Sequence, residues 1–457
     1  TFVMGERAFT EKATEDDLQA MERQVHDAIS AGAVGFTSSR SPAHETPEAR
    51  PVASRAADWE EVRRLVGTMG KLNAGLFEMA GEGVDRKLGD PGLREYHERL
   101  RDLAVESGRP ITFGVFGRRE SPGTWRKYLA LLDETAAAGG RMFAQAHSRS
   151  LSALLSFKTQ MPFDRLPLWK DIRALPLEEQ KAKLRDPALR AKLIEASGAR
   201  DSHQPRGTEA RLADYDWLFV FDSVKGPHRS VAEVARERNQ HPAETMIELA
   251  LEKDLDLFFL QPVANEDQDA ALEIMRHPRT VTTFSDSGAH VSQLMDSSLQ
   301  THLLSHWVRE KQAFTLEQAV RMLSLVPATL WGFHDRGLLR EGMMADMVVF
   351  NPDTITATMP EVVHDLPAGA RRLVQRTKGM AATVVNGKIV LKDCKPTGAL
   401  PGRLRGSFCR HARMTSSMCG SSRRNTSLGG AGFSSFCLWA NSLKLDASNA
   451  GRPVNIS

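Results

Sequence analysis

The chain has 457 residues, of which 41% are hydrophobic and 26% are charged, and its formal net charge is +3. This is the composition of an ordinary globular protein, long enough for up to about three domains or for one large α/β barrel with an accessory unit. No uncharged apolar run of about 18 residues and no signal-peptide pattern is present, so we expect no membrane span and a cytoplasmic protein. The four cysteines form no Cys-Xaa-Xaa-Cys pair, which excludes a disulfide scaffold and a zinc knuckle.

The body of the chain alternates short apolar runs with amphipathic stretches, a pattern typical of βα units and a mainly parallel sheet. The first helix is predicted to open near Thr14 and to end at Gly32. Strands are predicted at 33–39, 75–80, 111–116, 142–147, 217–221, 256–263 and 280–286. Seven strands are one short of a closed barrel, so we predict an α/β fold, a TIM-like (β/α)8 barrel that lacks its first strand, with that strand upstream of Thr1.

The predicted barrel spans 1–335 and carries a long insertion at about 150–215 with helical charge patterning. Two further helices are expected at about 297–310 and 315–332, the second with Thr315 as its N-cap. A small C-terminal β-sandwich portion follows at 336–405. Within it, Asn386-Gly387 lies between alternating strands, which predicts a type I′ hairpin turn.

The last segment, 406–457, differs in composition from the rest of the chain. It carries six basic residues against one acid and holds three of the four cysteines, so the remaining 405 residues have a net charge of −2. It is rich in Ser, Gly and Asn and shows no helical or strand period, which predicts a disordered or non-native tail. Its charges are scattered rather than clustered, so we expect no nucleic-acid partner.

The most informative motif is TFSDSGAHV at 283–291. Asp286 follows a late barrel strand, where barrel enzymes keep reactive groups, and it could bind a metal or accept a proton from water. His290, four residues on, could face the same cavity. The alternative is an ordinary Asp-Ser-Gly turn without a catalytic role.

Two more segments extend this pattern, GLLREGMMADMVVFNPD at 337–353 and VVNGKIVLKD at 384–393. Together the three resemble the C-terminal half of the metal-dependent amidohydrolase superfamily. AISAGAVGFTSSR at 28–40 and the stretch at 117–149 are similar to the N-acyl-D-amino-acid deacylase, or D-aminoacylase, group. The resemblance covers about residues 10–405. It implies a zinc-dependent enzyme in which Asp286 is a metal ligand and general base.

The expected zinc site is incomplete in this sequence. The family binds zinc through a His-Xaa-His pair and, in the D-aminoacylase group, a cysteine, yet this chain has no His-Xaa-His and its one body cysteine is Cys394. His147, at the end of a predicted strand, is the candidate second ligand or a hydrogen-bonding residue of the barrel mouth. His302 and His306 lie four residues apart on a helix but lack an acidic partner, which favours a surface or packing role.

Arginines at two strand ends are candidates for binding the substrate carboxylate, because a guanidinium matches that group. The two arginines are Arg40 and Arg149, and His290 is a further candidate for substrate binding. Pairing with a nearby acid is an equal alternative for each arginine. Glu78, inside an apolar strand, could face the barrel mouth or pair with a buried arginine.

The resemblance implies hydrolysis of the amide bond of N-acyl-D-amino acids, small-molecule substrates, with zinc as cofactor. Two alternatives remain open: a catalytically inactive truncated remnant, and a cyclic-amide hydrolase of the same superfamily. No membrane partner is expected.

Overall fold

A computed structural model describes residues 1–42, 44–46, 50–83, 91–199, 213–287, 290–294 and 298–403, and the backbone of 442–444. The remainder of the predicted tail at 406–457 lies outside the described residues. Four helices alternate with four strands in the first part of the chain. They are α1 (Glu15–Ser30), β1 (Gly35–Ser39), α2 (Trp59–Lys71), β2 (Leu76–Ala80), α3 (Pro91–Ser107), β3 (Ile111–Gly114), α4 (Thr124–Ala137) and β4 (Met142–Ala146).

Local sequence explains where these helices start. The first helix begins near Thr14 as predicted, and Thr14 caps it: its hydroxyl accepts from the Asp17 N–H, and the Asp17 carboxylate accepts from the Thr14 N–H at 3.0 Å. Asp58 caps α2 by accepting from the Glu61 N–H at 3.0 Å. Apolar residues at helical spacing then turn one face of α2 toward the sheet, where they are buried: Val62, Leu65, Val66 and Met69.

The central sheet is parallel and has five strands in the order β1-β2-β3-β4-β8, where β8 is Thr280–Thr282. Its first pair requires a glycine, since a Cβ at Gly35 would lie 2.1 Å from the carbonyl oxygen of Leu76. Phe77, Ile111 and Ala144 form part of the core between this sheet and its helices. The α/β class with a parallel sheet agrees with the prediction.

The seven predicted barrel strands do not lie in one sheet in the structure. Two of these strands, β6 (Phe219–Phe221) and β7 (Phe258–Ala264), pair antiparallel with each other in a separate three-stranded sheet in which β7 is the central strand. The unpredicted strand β5 (Leu151–Leu155) takes one edge of β7, and β4 bonds directly to β8. All five residues of β5 and all seven of β7 are buried, and a continuous apolar run does not reveal the direction of pairing.

The helices within 167–252 pack against the second sheet, and those within 268–323 pack in the core of the central sheet before the chain enters the C-terminal unit. The remaining helices are α5 (Pro167–Arg173), α6 (Leu177–Arg185), α7 (Pro187–Ser197), α8 (Val231–Arg238), α9 (Pro242–Glu252), α10 (Gln268–Arg276), α11 (Leu299–His302), α12 (Leu316–Leu323) and α13 (Leu325–Leu330). A π-helix continues α11 over Leu303–Glu310. Thr315 caps α12 through a capping box with Gln318, as predicted. Within the part of the chain that the structure describes, no helix is long and apolar enough to cross a bilayer.

The C-terminal unit is built from short strands. They are β9 (Met347–Phe350), β10 (Thr356–Ala357), β11 (Glu361–Val363), β12 (Arg372–Val374), β13 (Thr377–Lys378), β14 (Met380–Val385), β15 (Lys388–Lys392), β16 (Lys395–Pro396) and β17 (Ser442–Lys444), the last paired with β9. β14 and β15 form the predicted hairpin, and both Asn386 (φ 47°) and Gly387 (φ 76°) have the positive φ of a type I′ turn.

Candidate functional site

The loop that follows β8 places a carboxylate and an imidazole side by side. His290 Nε2 lies 3.7 Å from Asp286 Oδ2, and the His290 N–H donates to the Asp286 carbonyl at 3.3 Å. Both side chains are about one-third exposed. Asp286 has φ +54°, in the left-handed region that non-glycine residues rarely adopt. The two residues that the sequence motif singles out are therefore brought together at the carboxyl end of the parallel sheet.

A third ionisable group, His44, belongs to the same cluster and was not singled out from the sequence. Burial lowers the pKa of His44, while the nearby Asp286 carboxylate opposes that shift. Its Nδ1 is hydrogen-bonded to the hydroxyl of Ser39, the last residue of β1. A histidine shortly after a strand was the available signal, but the chain folds back through an irregular loop that sequence periodicity does not predict.

A polar chain runs across the sheet near this cluster. Gln145 Nε2 donates to Glu78 Oε1 at 2.6 Å, and the Thr283 hydroxyl donates to Gln145 Oε1 at 3.2 Å. Burial raises the pKa of Glu78, and the hydrogen bond from Gln145 works against that shift. Of the two alternatives for Glu78, the structure supports the first, because Glu78 lines a cavity and pairs with an amide.

That cavity has a volume of about 850 Å³ and lies along the β1 side of the sheet. Its wall includes polar groups from Ser39, His44 and Glu78, and the ring of Phe284. It is large enough for a small organic substrate. The cavity thus adjoins the loop that carries Asp286.

Arg40 is engaged in contacts within the protein. Its Nε donates to Glu82 Oε1 at 2.7 Å, and its Nη1 donates to the carbonyl of Ala57. Arg99 contacts the other oxygen of Glu82 at 2.8 Å. The alternative of an arginine paired with a nearby acid is the arrangement that the structure describes, and a role for Arg40 in substrate binding stays a prediction.

Arg149 lines a second cavity of about 760 Å³, and His147 lies two residues before it, with its Nδ1 3.0 Å from the Arg149 carbonyl oxygen. His147 is fully buried, and its Nδ1 lies 3.1 Å from the backbone nitrogen of Arg149. Arg149 lines the cavity and donates from Nη1 to the Ser298 hydroxyl at 3.3 Å. Burial, and after it the charge of Arg149, hold the pKa of His302 well below its ordinary value.

The described side chains do not assemble a metal site. Among the described residues, no group of three or more His, Cys, Asp or Glu side chains is placed to hold a metal ion. His302 and His306 stack with ring centroids 4.8 Å apart, and His306 Nδ1 lies 3.3 Å from Glu310. A catalytic zinc needs three protein ligands, so the described residues do not fit the expected zinc site. Zinc ligation by Asp286 and His147 stays a prediction.

Curated relatives of the chain are deacylases. It is 31% identical over 171 residues to N-acyl-D-aspartate deacylase from Alcaligenes xylosoxydans xylosoxydans, covering 35% of the chain and 32% of the relative. To D-aminoacylase from the same organism it is 27% identical over 240 residues, covering 50% of the chain and 44% of the relative. The chain therefore spans less than half the length of these curated relatives.

Solved structures show the same fold. A D-aminoacylase variant in complex with CuCl2 aligns with a TM-score of 0.51 at 18% identity, covering 87% of this chain and 67% of that one. Another D-aminoacylase structure, concerned with its binuclear metal centre, aligns with a TM-score of 0.50 at 18% identity and the same coverage. A sequence model of the amidohydrolase family matches residues 3–391. The chain belongs to the amidohydrolase family.

Proposed function

We propose that the protein hydrolyses the amide bond of N-acyl-D-amino acids. The observation that carries the proposal is the contact of Asp286 with His290, 3.7 Å apart, at the carboxyl end of β8 in an amidohydrolase chain. The matched relatives, named as deacylases of N-acyl-D-aspartate and as D-aminoacylase, support the substrate class.

In the proposed reaction, Asp286 moves a proton. Its carboxylate accepts a proton from the attacking water, whose oxygen forms a bond with the acyl carbon. The carbon–nitrogen bond then breaks, and the proton passes to the departing nitrogen. The products are a carboxylic acid and a free D-amino acid. His290, which neighbours the carboxylate, binds the substrate in this scheme.

Arg149 is the better of the two arginine candidates for the substrate carboxylate. It lines the second cavity, whereas Arg40 donates to Glu82 and to a backbone carbonyl. A planar guanidinium can bind a carboxylate through two parallel hydrogen bonds. Arg40 is the second candidate for the substrate carboxylate.

The proposal assigns no step to a metal ion. The resemblance implies zinc, but the described donors do not assemble a site for it. The same observation favours one alternative, a catalytically inactive remnant. Hydrolysis of a cyclic amide is a further outcome that the assay distinguishes.

The test is release of free amine by the purified chain, with and without added zinc. N-acetyl-D-aspartate, N-acetyl-D-glutamate and N-acetyl-D-leucine are compared with their L enantiomers and with a hydantoin. The proposal predicts turnover of D substrates above L substrates and above the hydantoin. Turnover of the hydantoin alone supports a cyclic-amide hydrolase, and no turnover in any condition supports the remnant.

A further inference from the structure

The C-terminal unit bonds directly to the loop that carries His290. The N–H of Leu373, in β12, donates to the carbonyl of Val291 at 2.7 Å. Val291 follows His290 in the chain, and β12 lies in a two-stranded hairpin with β11, within 361–374. The β11–β12 hairpin of the C-terminal unit is thus hydrogen-bonded to Val291, the residue that directly follows His290.

The other side of the same loop is bonded to the second sheet. The Leu154 N–H donates to the Gln293 carbonyl at 2.7 Å, and Ala153 forms an antiparallel bridge with Leu294. Residues 291–294 are therefore held between β12 and β5. Since both contacts are backbone hydrogen bonds, they fix the path of the chain whatever the side chains are.

Apolar side chains of the hairpin also contact the second sheet. Val362 and Leu373 pack against a buried cluster on that sheet, together with Met359. The cluster consists of Leu154, Phe221, Phe258 and Leu260. Leu154 takes part in both the cluster and the bond to Gln293, so the hairpin and the loop rest on the same strand.

The backbone conformation of Asp286 requires support from its surroundings. The left-handed φ of Asp286 costs free energy and persists only where the surroundings hold it. Downstream, the Gln293 and Leu294 N–H groups donate to the His290 carbonyl at 2.9 and 3.0 Å, which ties His290 to the segment that β12 and β5 hold. The His290 N–H returns to the Asp286 carbonyl.

We propose that Leu373 is a positioning residue: its backbone N–H, delivered by the 361–374 hairpin, orients the loop that presents Asp286 and His290. It acts through Val291 and does not contact the substrate. The catalytic consequence rests on the proposed function, whereas the effect on the loop does not.

The test uses proline substitutions in the full chain. Leu373 opposes Val362 in the hairpin, and the Leu373 N–H points away from β11 because it bonds to Val291. Leu373→Pro therefore removes the bond to the loop while sparing the β11–β12 ladder. The matched control is Val362→Pro, at the opposing position of the same pair, and Leu373→Ala keeps the N–H while truncating the side chain.

The first measurement is amide hydrogen exchange of residues 290–294 in the ligand-free protein. We expect exchange at least about 10-fold faster in Leu373→Pro, and rates within about 3-fold of the unmodified chain in Val362→Pro and Leu373→Ala. Unchanged exchange in Leu373→Pro, or equal acceleration in all three variants, would overturn the proposal. In the unmodified chain the Leu373 amide itself should be protected, and rapid exchange there would overturn it even if the proline variant fails to fold.

The second measurement is hydrolysis of an N-acyl-D-amino acid. Leu373→Pro should lower kcat about 10-fold or more with KM changed less than about 3-fold, and Leu373→Ala should retain kcat. A proportionate loss of kcat in both variants would contradict positioning by the backbone N–H. If the unmodified chain hydrolyses no substrate, the proposed function fails, while the exchange measurement still decides the effect of Leu373 on the loop.

Discussion

Glu78 and Gln145 face each other across the central sheet, with the Gln145 amide donating to the Glu78 carboxylate at 2.6 Å. They lie on β2 and β4, separated by β3. Burial raises the pKa of Glu78 from its ordinary value of 4.5, so ionisation of this carboxyl opposes folding. The pair places a readily protonated acid against the cavity near Asp286.

The raised pKa of Glu78 predicts that Glu78→Gln increases the stability of the protein, and that the increase depends on pH. A raised pKa in the folded protein means that the folded state binds more protons, so stability is lost as the pH rises from 4.5 through the raised value. The amide of the variant cannot ionise and can still accept from Gln145. We expect the variant to be more stable than the unmodified chain by on the order of 1 kcal/mol at pH 8 and by little at pH 4.5, measured by urea unfolding.

The control is Glu179→Gln, at an exposed position of α6, which should leave the pH dependence unchanged. An equal stability difference at both pH values would show that Glu78 folds without a raised pKa.

The lowered pKa of His97 predicts that the protein loses stability as the pH falls. Burial, and after it the charge of Lys127, lower the pKa of His97 from 6.5 to about 4. The folded state then binds fewer protons than the unfolded state, so the contribution is complete above pH 6.5 and is lost as the pH falls toward 4. Its ring packs edge-on against Tyr128 at 4.6 Å, which a phenylalanine can also do.

We therefore expect the unmodified chain to lose about 1 kcal/mol more than His97→Phe between pH 7.5 and pH 5 in urea unfolding. His26→Gln, at an exposed position of α1, serves as the control and should follow the unmodified chain. Identical pH profiles for the unmodified chain and His97→Phe would refute the assignment.

A buried ion pair joins the end of the α/β unit to the C-terminal hairpin. The Arg336 guanidinium donates to Asp346, and both side chains are less than a tenth exposed. The second oxygen of Asp346 accepts from the Asn386 N–H at 2.7 Å, at the β14–β15 turn. This gives a structural reason for an aspartate in the Ala-Asp step of the 337–353 motif.

Asp346→Ala should lower the free energy of unfolding by about 2 kcal/mol, because it removes the buried carboxylate from Arg336 and the acceptor of the Asn386 N–H, while the part-exposed Asp335 still pairs with Arg336 Nε at 3.2 Å. Asp353→Asn, at an exposed site in the same unit, should change stability by less than about 0.5 kcal/mol. Thermal unfolding of the two variants makes the comparison, and a loss below about 1 kcal/mol for Asp346→Ala would contradict the role of the pair.

Features encoded over a few residues were predictable from the sequence, and features set by distant pairing were not. The caps at Thr14 and Thr315 and the Asn386-Gly387 turn follow from local hydrogen bonding and from φ preferences. The pairing of β7 with β5 rather than with the parallel sheet depends on contacts about 100 residues apart, on which an apolar run is silent.

The residues of the site also divide into those that are close in the sequence and those that are brought together by long-range packing. Asp286 and His290 lie four residues apart in the sequence, so their spacing suggested that both could face one cavity, and the structure places the two side chains 3.7 Å apart. His44 reaches them from the loop after β1, and Gln145 reaches Glu78 from two strands away. Long-range proximity of this kind follows from the packing of the strands and not from spacing in the sequence.

The most direct test of the proposed hydrolysis is kcat/KM for an N-acetyl-D-amino acid in Asp286→Asn beside Asp353→Asn. Proton transfer by Asp286 predicts a loss of about 100-fold or more in the first variant and no loss in the second. Equal rates in Asp286→Asn and the unmodified chain would contradict the account.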